Sequence, residues 1–218
     1  MGGEPESGIG AGVHPCANDA GDEATAAAVS APQWLIEELP LIYYLDRADV
    51  PDAPPLYLSP QVEAILGYAP AEWCSRPGIY EQVIHPDDRE RVLETKRSAY
   101  AAGRPLKLEY RMVAADGRVV WMLDESVQRG EGEGSVRHGF GIEITSRKLG
   151  EERLQQAEQR FRTLVEQLPL VVYIDALDEV SSNIYTSPQV EPMLGYTVAE
   201  WQTNELLFVE LLHPEERE

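Results

Sequence analysis

The side chains that could do chemistry in this sequence are mainly its histidines, its cysteines and a few neighbouring carboxylates. His85 and His213 could each hold a metal ion or a haem iron, because imidazole is the commonest protein ligand for both. Each is followed at once by proline and two acidic residues, however, which is typical of a helix start. Asp87 and Asp88 could form a general acid and base pair, but adjacent helical positions do not face one another. The sequence therefore predicts structural histidines and solvated carboxylates at helix starts.

The remaining candidates also favour structural roles. His14 and His138 have no partners at zinc-site spacing. Cys16 and Cys74 fall in unlike contexts, and we interpret Cys74 as a packing or surface thiol. The sequence contains no phosphate-binding Gly-rich loop with Lys and Ser or Thr, no GxSxG motif and no HExxH motif. We therefore predict no catalytic set, no metal site and no cofactor.

Charge restricts the partners of the chain. Acidic residues outnumber basic ones 38 to 18, and the net charge is -20 at pH 7. Such a chain repels phosphate backbones and anionic lipids, which bind through Lys and Arg. No apolar run approaches the ~20 residues of a membrane-spanning helix, and the N-terminus lacks the basic and apolar regions of a secretory signal. We predict a cytoplasmic protein that binds neither nucleic acid nor membrane.

The most informative feature is an internal repeat. The segment LPLIYYLD (39–46) returns as LPLVVYID (168–175), and YLSPQVEAILGYAPAEW (57–73) returns as YTSPQVEPMLGYTVAEW (185–201). HPDDRE (85–90) returns as HPEERE (213–218). One residue is lost between the first two blocks, in a Pro- and Asp-rich stretch where a loop tolerates changes of length. The chain therefore carries one module twice, and the second copy lacks a counterpart of 91–145.

The repeat predicts four parts in the chain. Residues 1–31 are rich in Gly, Ala, Ser and acids, so they cannot bury enough apolar surface to become ordered, and we predict a disordered leader. Residues 32–146 form the complete module. Residues 147–167 form a connecting helix, and 168–218 form the N-terminal part of a second module that we interpret as truncated.

Within the complete module, strand and helix patterns follow one another in a clear order. LIYYLD and PLYLS have strand composition, and Ser59 is predicted to cap a short helix that ends at Gly67. Two short helical turns follow, and a longer helix begins at Pro86 and ends at Gly103. Three alternating strands complete the module, with a hairpin at Asp116-Gly117 between the first two. This order predicts an α+β fold, with one five-stranded antiparallel sheet and helices on one face.

Apolar stripes on the strands predict which side chains meet the helices. Residues two apart share a face of a strand, so one phase of each strand should point inward. The stripes could line a ligand cavity or form an ordinary packed core, and pattern alone does not separate the two. The residues predicted to face inward are Leu41, Tyr43, Leu45, Leu108, Tyr110, Met112, Trp121, Leu123, Phe140 and Ile142.

The order of elements, together with SPQVEAILGY, HPDDRE, RMVAADGRVVWM and GIEITSRK, resembles the PAS domain with a C-terminal PAC segment. The resemblance covers 34–148 in full and 161–218 in part. It implies a regulatory module that senses a ligand, light, oxygen or redox state, or that dimerises, and that signals to an attached output domain. We therefore expect a sensory and dimerisation input module whose output domain lies outside this chain.

Two alternatives belong to other functional classes. The chain could be the N-terminal half of a signalling enzyme, such as a diguanylate cyclase or a sensor histidine kinase. It could also be a chromophore-bound or haem-bound sensor, which predicts a coloured protein. Cys74 does not favour a flavin photoreceptor, because Ser75, Arg76 and Pro77 follow it and Gln202 replaces it in the second copy.

The connecting segment has heptad spacing. Its apolar residues recur at intervals of three and four, while charged and amide residues fill the remaining positions, which is the pattern of a two-stranded coiled coil. We predict that this helix pairs with its twin in a parallel homodimer and carries the signal from the first module to an output domain or a partner protein. The alternative is that the stripe packs onto the protomer's own sheet. The predicted seam, hereafter the α-seam, is Leu154, Ala157, Phe161, Leu164 and Leu168.

Overall fold

The structure of the chain is a computed structural model that describes residues 36, 38–50, 53–177, 182–204 and 207–216. The chain divides into two compact units, Met1–Lys148 and Leu149–Glu218, and each is described by itself. The predicted leader, 1–31, lies outside the described residues. Within the described ranges, no helix is both long enough and apolar enough to cross a membrane.

The first unit is built on a five-stranded sheet. Its strands lie in the order β2-β1-β5-β4-β3, and every neighbouring pair is antiparallel. The predicted hairpin at Asp116-Gly117 joins β3 to β4, where Gly117 has a positive φ of 84°. The strands are β1 (Leu41–Arg47), β2 (Tyr57–Leu58), β3 (Leu106–Val113), β4 (Val119–Arg129) and β5 (Val136–Glu143).

Four helices lie between β2 and β3 along the chain. They are α1 (Gln61–Leu66), α2 (Pro70–Ser75), α3 (Ile79–Val83) and α4 (Pro86–Ala101). Their buried residues pack with one face of the sheet in a main core that includes Val62, Ile84, Val92 and Met122. The α+β arrangement predicted from the sequence, with helices on one face of an antiparallel sheet, is confirmed.

Ser59 does not cap α1 as the sequence predicted. Its hydroxyl accepts a hydrogen bond from the backbone N–H of Tyr43 at 2.9 Å and donates to the carbonyl of Leu41 at 3.5 Å. The helix cap position is Pro60, without a side-chain hydrogen bond. Because Ser59 is fully buried, its hydroxyl finds partners on the neighbouring strand, and it joins the start of α1 to β1.

The second unit contains a strand pair and short helices. The helix α5 (Thr145–Gln167) contains the boundary between the two units, and β6 (Tyr173–Asp175) pairs with β7 (Asn183–Thr186) in an antiparallel ribbon. The remaining elements are α6 (Val190–Leu194), α7 (Val198–Thr203), α8 (Leu207–Leu211) and the 3-10 turn Pro214–Glu216.

The two strand pairs share one register. In the first unit Tyr44 lies opposite Leu58, and in the second unit Tyr173, at the matching position of the repeat, lies opposite Thr186. The Ser59 contact recurs as well, since the hydroxyl of Ser187 accepts a hydrogen bond from the N–H of Val172 at 3.0 Å. The repeated sequence therefore forms the same local structure in both units.

Candidate functional site

The predicted inward-facing residues separate onto the two faces of the sheet. Tyr110 and Met112 belong to the main core, and Leu108 packs against it. The side of β1 predicted to face inward is wrong. The residues that pack in or against the main core are Ile42 and Tyr44, on the other side of the strand. Leu45 and Tyr43 pack instead in a second cluster, and Leu41 shares their face by alternation.

The side predicted to face inward is also wrong for β4 and β5. In these strands the residues in the main core are Val120 and Met122, which leaves the four predicted residues on the opposite phase. These four, which are partly buried on the other face of the sheet, are Trp121, Leu123, Phe140 and Ile142. A role of any of the ten residues in lining a ligand pocket stays a prediction.

The reason for the wrong phase is that the inner face of these strands is polar. Asp124 and Ser126 on β4, and Arg137 and Gly139 on β5, are buried under the helices. The sequence VVWMLD is apolar in both phases, so alternation cannot select the inner one. The signals for the inner side are the polar residues in the second half of β4 and the glycines of β5.

Asp124 is the centre of a buried hydrogen-bond network. Its carboxylate accepts hydrogen bonds from the hydroxyls of Tyr44 at 2.7 Å and Tyr110 at 3.2 Å. Lys96 of α4 forms an ion pair with it, Nζ to Oδ2, at 3.4 Å. The hydroxyls of Tyr80 and Tyr110 lie 2.8 Å apart and extend the network to α3. The carboxylate therefore has three donors from three different elements.

Aromatic rings surround the ammonium group of Lys96. Its Nζ lies 4.0 Å from the ring centroid of Tyr80 and 5.6 Å from those of Tyr44 and Tyr100. Burial by itself would lower the pKa of Lys96, but its coupling to Tyr80, and then to Asp124, raises that pKa well above the usual value. Lys96 therefore stays charged inside the fold.

A second cation, Arg137, lies beside this network. Its guanidinium lies 3.9 Å from the ring centroid of Tyr100 and donates hydrogen bonds to the carbonyl of Arg104 and the side chain of Gln128, both at 3.1 Å. Asp46 lies directly opposite Arg137 in the pairing of β1 with β5. Burial raises the pKa of Asp46 to about 6; Lys96 and Arg137 lower it and Asp124 raises it, so burial outweighs the two cations.

We call these side chains the interior charge cluster. It contains two acids and two cations, so its formal charges balance when both acids are ionised. The tyrosine rings and the Lys96 side chain fill part of the space between the sheet and the helices, where the sequence predicts a ligand cavity or a packed core. A surface groove of about 430 Å3 runs between α4 and β3, but none of the ten predicted pocket residues lines it. The cluster is defined as Asp46, Asp124, Lys96, Arg137 and the tyrosines Tyr44, Tyr80, Tyr100 and Tyr110.

A glycine on β5 makes room for the cluster. Gly139 pairs with Tyr44 on β1, and the Tyr44 ring lies across it so closely that a Cβ at Gly139 would overlap the ring. Only glycine therefore lets Tyr44 reach Asp124.

The three histidines in the described ranges make local hydrogen bonds. The Nδ1 atom of His85 accepts a hydrogen bond from the N–H of Asp87 at 3.3 Å and caps α4, and His213 does the same for Glu215 at 3.5 Å. His138 shares a 2.7 Å hydrogen bond with the hydroxyl of Tyr43. Over the ranges that the structure describes, no group of His, Cys, Asp and Glu is arranged to hold a metal ion.

The adjacent carboxylates Asp87 and Asp88 both accept hydrogen bonds from the guanidinium of Arg111. Asp88 is buried, not solvated as predicted, and it points to the sheet. It accepts from the Nε of Arg111 at 3.0 Å and from its backbone N–H at 2.9 Å, and the hydrogen bond from the guanidinium holds the pKa of Asp88 down at about 2.

Cys74 lies on α2 and is disulfide-bonded, so the expected thiol is wrong. The other cysteine, Cys16, lies outside the described residues.

The first turn of α5 is attached to the sheet. The hydroxyl of Thr145 accepts a hydrogen bond from the N–H of Trp121 at 3.0 Å. Glu109 of β3 forms ion pairs with Arg147 at 2.6 Å and with Lys148 at 2.7 Å. Because β5 ends at Glu143 and α5 begins at Thr145, the end of the sheet and the start of the helix form one connected segment.

The α-seam is exposed along α5. Leu154, Phe161 and Leu164 are 63%, 56% and 64% exposed, and Ala157 is exposed too. The pairing of the α-seam with a second copy stays a prediction. The predicted placement of Leu168 on the helix is wrong, because α5 ends at Gln167 and Leu168 lies beyond it.

Several known proteins are similar to this chain. A family model described as the PAS fold matches residues 55–138. Together with the observed strand order, this match shows that the first unit has the PAS fold, of the kind found in sensor proteins.

The similar curated proteins are much longer than this chain. The two-component sensor PprA of Pseudomonas aeruginosa is 27% identical over 190 residues, which cover 83% of this chain and 20% of that protein. The probable diguanylate cyclase DgcE of Escherichia coli is 27% identical over 124 residues, or 56% of this chain and 11% of that protein. The chain thus spans about a fifth or less of the curated relatives it matches.

Similar solved structures were also found. A sensory box histidine kinase/response regulator from Burkholderia thailandensis has 25% sequence identity and a TM-score of 0.48, covering 60% of this chain and 97% of the other.

Proposed function

We propose that the chain is a sensory and dimerisation input module that passes its signal through α5 to an output domain. The observation that carries this proposal is the attachment of α5: the PAS sheet leads directly into a helix whose first turn is bonded to β3 and β4. A change in the sheet would therefore move or release the first turn of α5. The sensory role itself agrees with the sensor proteins to which the chain is similar.

The α-seam supports a parallel homodimer. Its four helical members lie on one exposed stripe, and burying such a stripe against a second copy removes apolar surface from water. The seam is short and Gly150 weakens the first turn by ~1 kcal/mol relative to Ala, so we expect a dimer of modest affinity.

Oligomeric state tests this proposal. Replacing Leu154 and Phe161 with Glu places like charges across the seam and should convert a dimer into a monomer in light scattering. Gln155→Glu with Gln159→Glu adds the same charge away from the seam and should leave the dimer intact. A wild-type chain that is monomeric at high micromolar concentration, or a double seam variant that still dimerises, would show that the coiled-coil route is wrong.

We also propose that the second unit is the N-terminal part of a second PAS copy. The shared register of β1–β2 and β6–β7 supports it. The similarity to the two-component sensor supports it further, because 190 aligned residues extend beyond the 148 residues of the first unit. The predicted boundaries of 32–146, 147–167 and 168–218 remain part of this proposal, as does a cytoplasmic location.

A second candidate function is the input half of a signalling enzyme. The probable diguanylate cyclase among the relatives favours it. Assaying the full-length product for cyclic dinucleotide synthesis and for autophosphorylation would decide between the classes. A small-molecule ligand remains a further proposal, and a visible absorption band in the purified chain would favour a haem or chromophore-bound sensor.

A further inference from the structure

Three tyrosine rings and one carboxylate surround the ammonium group of Lys96. The ring of Tyr80 in α3 lies nearest to Nζ, at 4.0 Å, and the rings of Tyr44 in β1 and Tyr100 in α4 lie at 5.6 Å. Asp124 of β4, whose side chain is only 4% exposed, supplies the opposite charge. Aromatic rings placed around a cation are the arrangement by which proteins recognise organic ammonium ligands.

The parts of this site are held in place by contacts that do not involve Lys96. The hydroxyls of Tyr44 and Tyr110 donate hydrogen bonds to the carboxylate of Asp124. The hydroxyl of Tyr80 lies 2.8 Å from that of Tyr110. Because these bonds position the rings and the carboxylate independently of the lysine, we expect the site to persist in a variant with a shorter side chain at position 96.

Lys96 uses the site incompletely. Its Nζ donates to Oδ2 of Asp124 at 3.4 Å, whereas a hydrogen bond between two charged groups usually spans about 2.7–2.9 Å. Within the described residues, the buried hydroxyl of Tyr100 has no hydrogen-bond partner, although its ring lies beside the ammonium. An ammonium group that is not tethered to α4 is free to shorten the first contact and to donate to the unpartnered hydroxyl.

We propose that the interior charge cluster contains a binding site for a primary organic ammonium group, and that Lys96 occupies this site as a tethered ligand. The inference goes beyond the proposed input function and does not depend on it. A primary ammonium fits better than a quaternary one, because Asp124 and Tyr100 offer acceptors for N–H groups. A diffusible amine binds only where the Lys96 side chain does not fill the site.

Returning the missing atoms to a shortened side chain tests the site in the full chain. Lys96→Ala removes the outer carbons and the ammonium group, and n-propylammonium contains the same atoms. Because a ligand that binds only the folded state stabilises it, n-propylammonium should recover part of the urea midpoint that Lys96→Ala loses. NMR should show NOE contacts between the bound amine and the ring of Tyr80. The wild type should show neither effect.

Three controls separate ammonium binding from other effects. The chain has a net charge of -20, so any cation stabilises it by screening, and sodium chloride at the same concentration measures that contribution. n-Propanol has the same length without the charge and should leave Lys96→Ala unchanged. Lys96→Met fills the space with an apolar side chain and should not bind n-propylammonium.

The wild-type chain supplies a measurement that needs no variant. Reductive methylation should modify the exposed Lys107 quickly and Lys96 slowly, because their side chains are 72% and 13% exposed and rings enclose the ammonium of Lys96. NMR of the labelled methyl groups distinguishes the two lysines. If Lys96→Ala does not fold, refolding it in n-propylammonium is the deciding experiment, and recovery of the native amide spectrum is the expected result.

Several results would overturn the inference. They are equal stabilisation of Lys96→Ala by n-propylammonium and sodium chloride, a bound amine without contact to Tyr80, and an unfolded Lys96→Ala that the amine does not rescue. A wild-type Lys96 that is methylated as fast as Lys107 would overturn it as well. A chain that is monomeric in light scattering removes the coiled-coil route and leaves the ammonium site to these measurements.

Discussion

The strand pairs β1–β2 and β6–β7, with the short helices that follow them, have the same local structure but different surroundings. Both α1 and α6 end at a glycine in the left-handed region, Gly67 with φ 77° and Gly195 with φ 81°. Yet Leu66, at the end of α1, is 1% exposed, whereas its counterpart Leu194 is 48% exposed. The repeated residues therefore form their turns and strands without completing a core.

The difference shows which elements supply the core. In the first unit, α4 and strands β3 to β5 add the residues that cover the inner face of β1. In the second unit, the positions that match this face line an open groove of about 220 Å3, and Phe208 in it is 58% exposed. The groove residues that match Tyr44, Asp46, Leu66, Trp73 and Tyr80 are Tyr173, Asp175, Leu194, Trp201 and Phe208.

The largest expected effect is on amide exchange. A covered sheet exchanges mainly by global unfolding, and a domain stability of about 5 kcal/mol corresponds to protection of roughly a thousandfold or more. We expect β1 and β5 to show such protection and β6 and β7 to exchange near the rate of an open chain. Exchange followed by mass spectrometry or NMR measures both in one sample. Slow exchange throughout β6 and β7 would remove the contrast between the two units.

A second prediction concerns the charge pair under the sheet. Lys96→Met leaves Asp124 buried without its cation, which should cost the first unit about 3–5 kcal/mol of unfolding free energy. Lys107→Met is the matched control, because it breaks the exposed pair of Lys107 with Glu125 and should cost less than about 1 kcal/mol. Urea unfolding measures both. Equal losses in the two variants would show that the interior charge cluster does not stabilise the covered sheet.

The smallest of the three effects concerns Gly139. In Gly139→Ala the added Cβ overlaps the Tyr44 ring, and overpacking of this kind should cost about 1–3 kcal/mol. Gly150→Ala in α5 is the control, since a Cβ there meets no neighbour within 4 Å and should stabilise the helix slightly. If the thermal midpoint of Gly139→Ala equals that of the wild type, the contact between Tyr44 and Gly139 is not required.

Much of the fold follows from the sequence because its signals are local. Alternation and the Asp116-Gly117 turn place β3 and β4, and Pro86 at the first helical position starts α4. The exposed apolar stripe of α5 is also visible in the sequence, because helical spacing is a local pattern. Its last member was wrong because α5 ends at Gln167, and helix ends depend on contacts such as the hydrogen bond that Gln189 donates to the carbonyl of Glu166.

The order of strands and helices, their turns and the repeat of one local structure in two places can be predicted from the sequence, because each depends on residues close together in the chain. Which side of β1, β4 and β5 is covered depends on long-range packing. That choice depends on the meeting of Lys96 from α4 with Asp124 of β4 and Arg137 of β5 on one face of the sheet. A buried acid is tolerable only where its cation and donors meet it, and no alternation within a single strand can report that meeting.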